Sequence, residues 1–400
     1  MTRLALGLLA ALAACDATPA PAATCPPPAA PASVAPAVAP APAPDDVVAI
    51  GERQTFRSAI LGEDRTIFVY TPPSYLTSDA KYPVLVLLDA ETNFHPMTGV
   101  VDFLARRQRI PEMIVVGVTN TVRDRDLTPT AIAERPNSGG GDAFLRFLRE
   151  EVAGRIEATG RTVPYRVLIG HSLGGLFAIH ALTSAPAAFD AYVSISPSLW
   201  WDDERMRRNA EARFAGGPEL QAFLYMTIGD EPGRMLDSNR AFAALLGARA
   251  PKGLRWSFKH MEREDHGSLV LRTTYDALEA LFADYPPPRD ITEVKQLAAH
   301  YAALSDRLHY TVKPPEFAVN TLAYGLLPKQ PDRAIAAFEY NVELYPGSAN
   351  VYDSLGEAYE KTGKLDLART SYASAVEKAT ANKDPLLAMF KANLERVSRP

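Results

Sequence analysis

Residues 165–176 read Tyr165-Arg-Val-Leu-Ile-Gly-His-Ser-Leu-Gly-Gly-Leu176, and this stretch decides the fold. Its first half is apolar and β-branched, as in a buried strand, and the apolar residues that follow it have the spacing of a helix. Between the two halves, Gly170, Ser172 and Gly174 form the G-x-S-x-G pattern of a nucleophile elbow. The glycines let strand and helix pass closely around a strained serine. We therefore predict that Ser172 is a catalytic nucleophile.

Strand and helix signals extend on both sides of this stretch, over residues 47–285. Apolar runs predict buried strands at residues 67–70, 84–88, 113–118, 167–169, 192–195, 223–228 and 254–258. Amphipathic runs between them predict helices, for example at residues 144–156 and 242–246. Near-continuous apolar strands separated by helices are typical of parallel sheets covered on both faces. The pattern predicts a doubly wound, mostly parallel α/β domain whose site lies at the carboxyl ends of its strands.

A serine hydroxyl needs a base, and imidazole titrates in the useful pH range. The histidines that follow Ser172 in the chain are His180, His260, His266, His300 and His309. His266 is the preferred base because it lies in a loop before a predicted helix and is followed by glycine. His260, at the end of a predicted strand, is the alternative. His180 is predicted to pack on the elbow helix, and the last two lie beyond the domain.

The acid that orients the imidazole is expected in the loop after residue 228, which reads Gly229-Asp-Glu-Pro-Gly233. Its role is to fix the imidazole tautomer and to stabilise the imidazolium. Glu231 is slightly preferred, and Asp230 is the alternative. Asp237 is a third candidate, although it is also predicted to be the N-cap of the helix that follows. Each of these carboxylates has a second interpretation as solvated loop charge.

Backbone N–H groups are expected to hold the oxyanion, because this role depends on geometry and not on side-chain type. Leu173, directly after the serine, supplies the first donor. The second should come from the loop after residue 88, from Ala90 or Glu91.

Five segments together resemble the esterase-D type α/β-hydrolases, and within them the branch of enterochelin and ferric-siderophore trilactone esterases. They are residues 120–129, 138–141, 170–175, 196–201 and 264–267. The resemblance covers residues 50–285 and implies serine carboxylester hydrolysis, with Ser172 and His266 at the catalytic positions. The acid is weak or absent in some members of that branch, which bears on Glu231.

Four residues near predicted strand ends are candidates for ligand binding: Arg123, Arg125, Trp200 and Trp201. Guanidinium and indole groups suit an anionic, aromatic ligand such as a ferric catecholate. The alternative is that the arginines pair with neighbouring aspartates and the tryptophans pack under a lid. The sequence shows no clustered His, Cys and Asp ligands, so we expect no intrinsic metal and no cofactor.

The N-terminal segment, residues 1–15, has a basic start and a short apolar run that ends in Leu12-Ala-Ala-Cys15. This ending resembles a bacterial lipobox and implies lipidation of Cys15, with ordinary secretory cleavage as the alternative. Residues 16–46, mostly Ala and Pro, predict a disordered spacer of polyproline II character. The expectation is an exported bacterial lipoprotein, anchored to a membrane and facing the periplasm.

A second region begins at Pro286, the first of three consecutive prolines. Residues 286–315 are predicted to be a connecting helical segment. Residues 316–400 resemble a tetratricopeptide module, because Ala334 aligns with Ala368 and Phe338 with Tyr372 at the 34-residue period of that repeat. The predicted fold is therefore α/β, followed by a small all-α repeat that could bind a protein partner.

The 400 residues are 47% apolar and 22% charged, with a net charge of −5, so nothing favours nucleic-acid binding. The predicted function is hydrolysis of a small-molecule ester through an acyl-enzyme. Two alternatives stay open. One is transfer of the acyl group to a sugar or lipid on the same fold. The other is a non-catalytic periplasmic scaffold that uses the helical repeats.

Overall fold

The computed structural model describes residues 48–76, 78–217 and 219–399. Within these ranges the strands form one sheet in the order β1-β2-β4-β3-β5-β6-β7-β8. The strands are β1 (Glu52–Arg57), β2 (Asp64–Tyr70), β3 (Tyr82–Leu87), β4 (Ile114–Val118), β5 (Thr162–His171), β6 (Ala191–Ile195), β7 (Glu219–Gly229) and β8 (Lys252–Met261). Strands β3 to β8 are parallel, and β1 and β2 join antiparallel at one side. The predicted α/β sheet is confirmed. Cys15 and the whole of the predicted spacer, residues 16–46, lie outside the described residues.

Helices follow most strands. They are α1 (Ala90–Arg106), α2 (Arg123–Leu127), α3 (Gly141–Arg146), α4 (Ala153–Glu157), α5 (Leu173–Ser184), α6 (Trp201–Phe214), α7 (Arg234–Arg249) and α8 (Leu269–Leu281). The helix predicted at residues 144–156 is not one α-helix, because a π-helical turn, Phe147–Val152, joins α3 to α4. Single π-helical turns of this kind occur within α-helices.

Strand β1 was not predicted from the sequence. Its residues alternate between exposed and partly buried side chains, and it carries polar residues along most of its length. It pairs with β2 alone, with Glu52 opposite Val69 and Arg57 opposite Asp64. An edge strand of this kind has no continuous apolar run, so it lacks the signal that marked the central strands.

Both faces of the sheet are buried, which explains the continuous apolar strands. Along β3, Val84 and Val86 belong to one core and Leu85 and Leu87 to the other, because successive side chains point to opposite faces. The first core includes residues of α3 to α7, and the second includes residues of α1 and α8. Helices on both faces leave the carboxyl edge of the strands as the place for a site.

The C-terminal region is helical, as predicted. Its helices are α9 (Val294–Leu308), α10 (Glu316–Leu326), α11 (Pro331–Leu344), α12 (Ala349–Lys361), α13 (Leu365–Ala381) and α14 (Leu387–Ser398). Leu297 and Tyr301 of α9 are buried in the same core as the second face of the sheet. Helix α9 therefore shares a core with the α/β part, whereas buried residues of α11 to α14 form separate clusters. None of the helices in the described ranges is long and apolar enough to cross a bilayer.

Candidate active site

The turn between β5 and α5 has the backbone geometry of a nucleophile elbow. Ser172 has φ 60 and ψ −115, a conformation that is strained for a residue with a side chain. A Cβ on Gly170 would collide with the carbonyl oxygen of Gly174. Glycine at position 170 is therefore required for the close passage of strand and helix.

Ser172 lies at the centre of the carboxyl edge. Strand β5 is flanked by β3 and β6, so the loops after the parallel strands end around the serine. The backbone N–H of Ser172 donates to Ile195 O at 2.9 Å, and the N–H of Ser198 donates to Ser172 O at 3.1 Å. The loop after β6 is thereby fixed to the candidate nucleophile.

His266 and Glu231 form a direct pair at the same edge. His266 Nδ1 is 2.5 Å from Glu231 Oε2. The Glu231 side chain is 11% exposed and that of His266 is 42% exposed. The histidine loop is shaped by Asp265, whose Oδ1 accepts the N–H groups of Gly267 and Ser268 at 2.9 and 2.8 Å. The structure therefore brings together the preferred base and the preferred acid.

The other two carboxylates considered for the acid lie apart from the imidazole pair. The Asp230 side chain is exposed, and its backbone N–H donates to Glu264 O at 2.7 Å. Asp237 was expected to be an N-cap, and this expectation is corrected: it lies in the first turn of α7, whose N-cap is Gly233. Glycine occupies the cap because its φ of 79 is unfavourable for other residues.

Hydrogen bonding keeps Glu231 ionised. Burial alone would raise the pKa of Glu231, but hydrogen bonds from His266 and Ser196 outweigh burial, so its pKa lies below the ordinary value. A charged Glu231 accepts the Nδ1 proton of the imidazole. This bond selects the tautomer in which Nε2 is free to take a proton.

The hydroxyl of Ser172 has a serine neighbour. Ser172 Oγ and Ser198 Oγ are 3.3 Å apart. Among the hydrogen bonds of the described residues, none joins Ser172 Oγ to His266. Proton transfer requires a separation of about 2.6–3.2 Å, and such contacts often tighten only when substrate binds.

His171 packs its ring against His266. The ring centroids are 4.4 Å apart, with planes inclined at 47°. Burial and the nearby His266 lower the pKa of His171 to about 4. The ring is therefore uncharged near neutral pH, and it supports the candidate base without adding a positive charge beside it.

The loop after β3 lies beside the elbow. Leu173 and Ala90 are the first residues of α5 and α1, so their N–H groups have no acceptor within the helix. The Asp89 carboxylate accepts from Arg123 at 2.6 and 2.9 Å and from Asn120 at 2.8 Å. A Cβ on Gly174 would lie 3.4 Å from Asp89 Oδ2, which places the two turns in contact.

The two arginines predicted to bind a ligand make intramolecular ion pairs. Arg123 pairs with Asp89 and stays partly exposed beside the elbow. Arg125 pairs with Glu63 at 2.5 Å and Asp126 at 2.7 Å. Both arginines thus have the local pairing that was the alternative interpretation. Arg125 is held by two carboxylates, and its assignment to ligand binding is withdrawn, whereas Arg123 has one carboxylate partner and also donates to His171 O of the elbow at 3.3 Å.

The two tryptophans differ. Trp200 is partly exposed and its Nε1 donates to Met235 Sδ at 3.1 Å. The assignment of Trp201 to ligand binding is corrected, because its side chain is 1% exposed and its Nε1 donates to Thr130 O at 3.2 Å. It packs in the core and offers a ligand almost no surface.

The remaining histidine candidates lie away from the Glu231 pair. His260 is within β8, and its Nδ1 is 3.5 Å from a guanidinium nitrogen of Arg240. His180 is buried in α5, with Nε2 2.9 Å from Asp142 Oδ1. Among the described residues, no group of three or more His, Cys, Asp or Glu side chains is arranged to hold a metal ion.

Three residues of the candidate site were not assigned a role from the sequence: Ser196, Ser198 and Asp89. Ser196 Oγ donates to Glu231 Oε1 at 2.5 Å. Ser198 Oγ contacts Ser172 Oγ, and the Asp89 carboxylate accepts from Arg123. Their position at the carboxyl ends of β6 and β3 was an available signal. Their partners depend on tertiary contacts.

Comparison with known proteins identifies esterases as relatives of this chain. The model of the Esterase family, described as "Putative esterase", matches residues 58–266. The ferri-bacillibactin esterase BesA of Bacillus subtilis is 31% identical over 253 residues, which are 56% of this chain and 88% of that protein.

Two solved structures extend the comparison. An IroE-like serine hydrolase from Shewanella oneidensis is 31% identical with a TM-score of 0.67, and the match covers 74% of this chain and 99% of that chain. The siderophore hydrolase EstB from Aspergillus nidulans is 25% identical with a TM-score of 0.53, over 61% and 99% of the two chains. With more than half of its length matched by the family model, the chain belongs to the Esterase family and is a carboxylic ester hydrolase.

Proposed function

We propose that the chain is a serine esterase that cleaves siderophore-type esters through an acyl-enzyme, with Ser172, His266 and Glu231 as its triad. The observation that carries the triad is the 2.5 Å contact between His266 Nδ1 and Glu231 Oε2 at the strand edge that bears the elbow. The low pKa of Glu231 adds to it, because an ionised acid is what the imidazolium needs.

The proposed reaction has two halves. His266 Nε2 takes the proton of Ser172 as Oγ attacks the ester carbonyl, and the imidazolium then gives that proton to the leaving alcohol. Water, deprotonated by the same nitrogen, attacks the acyl-enzyme, and the imidazolium returns the proton to Ser172 Oγ as the acid is released. The N–H groups of Leu173 and Ala90, each the first of a helix, would hold the oxyanion, with the positive ends of both helices behind them.

The substrate class is supported by the relatives and by two side chains. BesA and EstB are named as a ferri-bacillibactin esterase and a siderophore hydrolase. Arg123 and Trp200 are both partly exposed after strands that end at the candidate site. A guanidinium and an indole suit an anionic aromatic ligand such as a ferric catecholate. The iron in such a ligand is part of the substrate.

The test follows hydrolysis of a ferric tricatecholate trilactone and of a short-chain aryl ester by mass spectrometry, with Ser172→Ala as the control. We expect the wild-type protein to open the trilactone with a much higher kcat/KM than the aryl ester, and the control to do neither. Serine-dependent cleavage of the aryl ester alone would contradict the siderophore assignment but leave the serine mechanism intact.

The proposal extends to the two ends of the chain. We propose lipidation at Cys15, supported by the sequence Leu12-Ala-Ala-Cys15. Mass spectrometry of the protein from membranes should find a diacylglyceryl-modified Cys15, and an unmodified residue would contradict it.

We also propose tetratricopeptide-like pairing of α12 with α13, supported by the close fit of Gly356 against the Tyr372 ring. Binding of a protein partner there stays a prediction.

A further inference from the structure

Ser196 occupies an unusual position in the candidate site. It directly follows β6, its side chain is 0% exposed, and its φ is 40. Its backbone N–H donates to Thr227 O at 2.8 Å, which fixes it to the neighbouring strand β7. A positive φ is costly for a residue with a side chain and persists where the surroundings impose it. In this backbone conformation the Ser196 hydroxyl points toward the loop that carries Glu231.

The hydroxyl of Ser196 contacts both members of the acid–base pair. Ser196 Oγ is 2.5 Å from Glu231 Oε1 and 3.1 Å from His266 Nδ1. A hydroxyl has one proton and two lone pairs. Its proton goes to the carboxylate at the shorter distance, so a lone pair is left to face the Nδ1–H group.

These contacts hold both oxygens of Glu231. Oε2 accepts from His266, while Oε1 accepts from Ser196 and from the N–H of Gly229 at 3.2 Å. A carboxylate held on one oxygen only can rotate about its final bond and lose the imidazole. With both oxygens held, the plane of the carboxylate and the direction of its bond to Nδ1 are fixed.

We propose that Ser196 is a positioning residue of the catalytic apparatus, which fixes Glu231 and, through it, the orientation and tautomer of His266. This inference rests on the proposed triad. Ser196 acts through its neighbours and does not itself contact the reacting carbonyl. Its effect is therefore expected on the chemical step and not on substrate binding.

The test uses two variants of Ser196 in the full chain, with the short-chain aryl ester as substrate. Ser196→Ala removes the hydroxyl. Ser196→Gly also removes it and adopts φ 40 without strain, so it secures a folded variant. We expect both to lower kcat about 10- to 100-fold, the range for one charge-assisted hydrogen bond, with KM within about twofold. Ser371→Ala, a buried serine of α13, is the matched control and should keep the wild-type kcat.

A double variant separates positioning from general packing. If Ser196 acts through the acid, Ser196→Gly combined with Glu231→Gln should lose little more activity than Glu231→Gln alone, because both changes act on the same imidazole. If the decrease in kcat of the double variant equals the product of the decreases in the two single variants, the inference is overturned. So would a Ser196→Gly protein with wild-type kcat.

Ser172→Ala, measured in the same series, distinguishes this inference from the proposed function. If Ser172→Ala keeps its activity, the proposed triad fails, and the inference with it. An inactive Ser172→Ala beside a fully active Ser196→Gly overturns the role of Ser196 alone.

Discussion

Two polar clusters flank the central strand β5. They contain similar chemical groups but have different roles. The acid–imidazole cluster, on the β6 and β7 side, comprises Ser196, Glu231 and His266. The acid–guanidinium cluster, on the β2 and β4 side, comprises Glu63, Arg65, Arg125 and Asp126. In each, buried or half-buried carboxylates accept hydrogen bonds from cationic or basic side chains. Charge pairing alone therefore does not identify the site.

The difference lies in exposure and in the ability to change protonation. The side chains of Arg65 and Asp126 are 0% and 1% exposed, and Arg65 Nη1 is 2.5 Å from Asp126 Oδ2. An arginine keeps its proton throughout the working pH range, so this cluster can only hold structure together. His266 is partly open to solvent, and an imidazole can exchange a proton. A carboxylate beside an exposed imidazole is the arrangement that supports catalysis.

The largest expected effect is on catalysis at the acid–imidazole cluster. Replacing the base, His266→Ala, should lower kcat for an aryl ester by at least about 10⁴-fold, because no group then removes the Ser172 proton. Steady-state kinetics measure this, and the thermal midpoint should change little because the side chain is partly exposed. A His260→Ala protein is the matched control. If His260→Ala is the inactive variant, the base has been misassigned.

Glu231→Gln is expected to have the next largest effect, lowering kcat about 10³-fold with a small change in KM. The amide cannot balance an imidazolium charge, and its NH₂ group favours the wrong tautomer of His266. Asp230→Asn serves as the control, because Asp230 is exposed and the described partner of His266 Nδ1 is the Glu231 carboxylate. Equal losses in the two variants would remove the distinction that the structure draws between them.

At the acid–guanidinium cluster the expected effect is on stability. Arg65→Met should lower the free energy of unfolding by about 3 kcal/mol, because it leaves the buried Asp126 with Arg125 as its remaining cation. The folded variant should keep its kcat. Urea denaturation gives the free energy, and Arg106→Met, in an exposed pair with Asp102, should cost less than about 1 kcal/mol. A large loss of kcat in folded Arg65→Met would make this cluster catalytic as well.

The smallest expected effect is on the pH dependence of stability. Hydrogen bonds from Arg125 and Arg65 outweigh burial and lower the pKa of Glu63 from 4.5 to about 2. The stability that Glu63 contributes is therefore complete above pH 4.5 and is lost as the pH falls toward 2. Glu63→Gln should show a shallower loss of stability over that range. The free energy of unfolding of the wild-type protein and of Glu63→Gln is measured by denaturation from pH 7 to 3. The same dependence on pH in both proteins would contradict this prediction.

The sequence predicted the central strands and the elbow well, for a physical reason. Buried parallel strands must be apolar throughout, and the elbow requires glycine at position 170, so both leave local signals. The polar edge strand β1 leaves no such signal. Helical structure after Pro286 was predicted, but the core that α9 shares with the sheet depends on contacts between distant segments.

Prediction of the site was less complete. Glu231 was found because it follows a strand end, and His266 because it lies in a loop before a predicted helix. The pairing itself needed the structure. Arg125 and Trp201 were selected for their side-chain chemistry, yet one is ion-paired and the other is buried. Ser196 was missed because its role depends on a positive φ and on two partners from other loops.

The central claim is that Ser172 is the nucleophile of this esterase, activated by the acid–imidazole cluster. The most direct measurement treats the protein with a fluorophosphonate and locates the adduct by peptide mass spectrometry. The account predicts a single adduct on Ser172, absent from Ser172→Ala and strongly slowed in His266→Ala. An adduct on another residue, or labelling of Ser172 at the same rate without His266, would contradict the account.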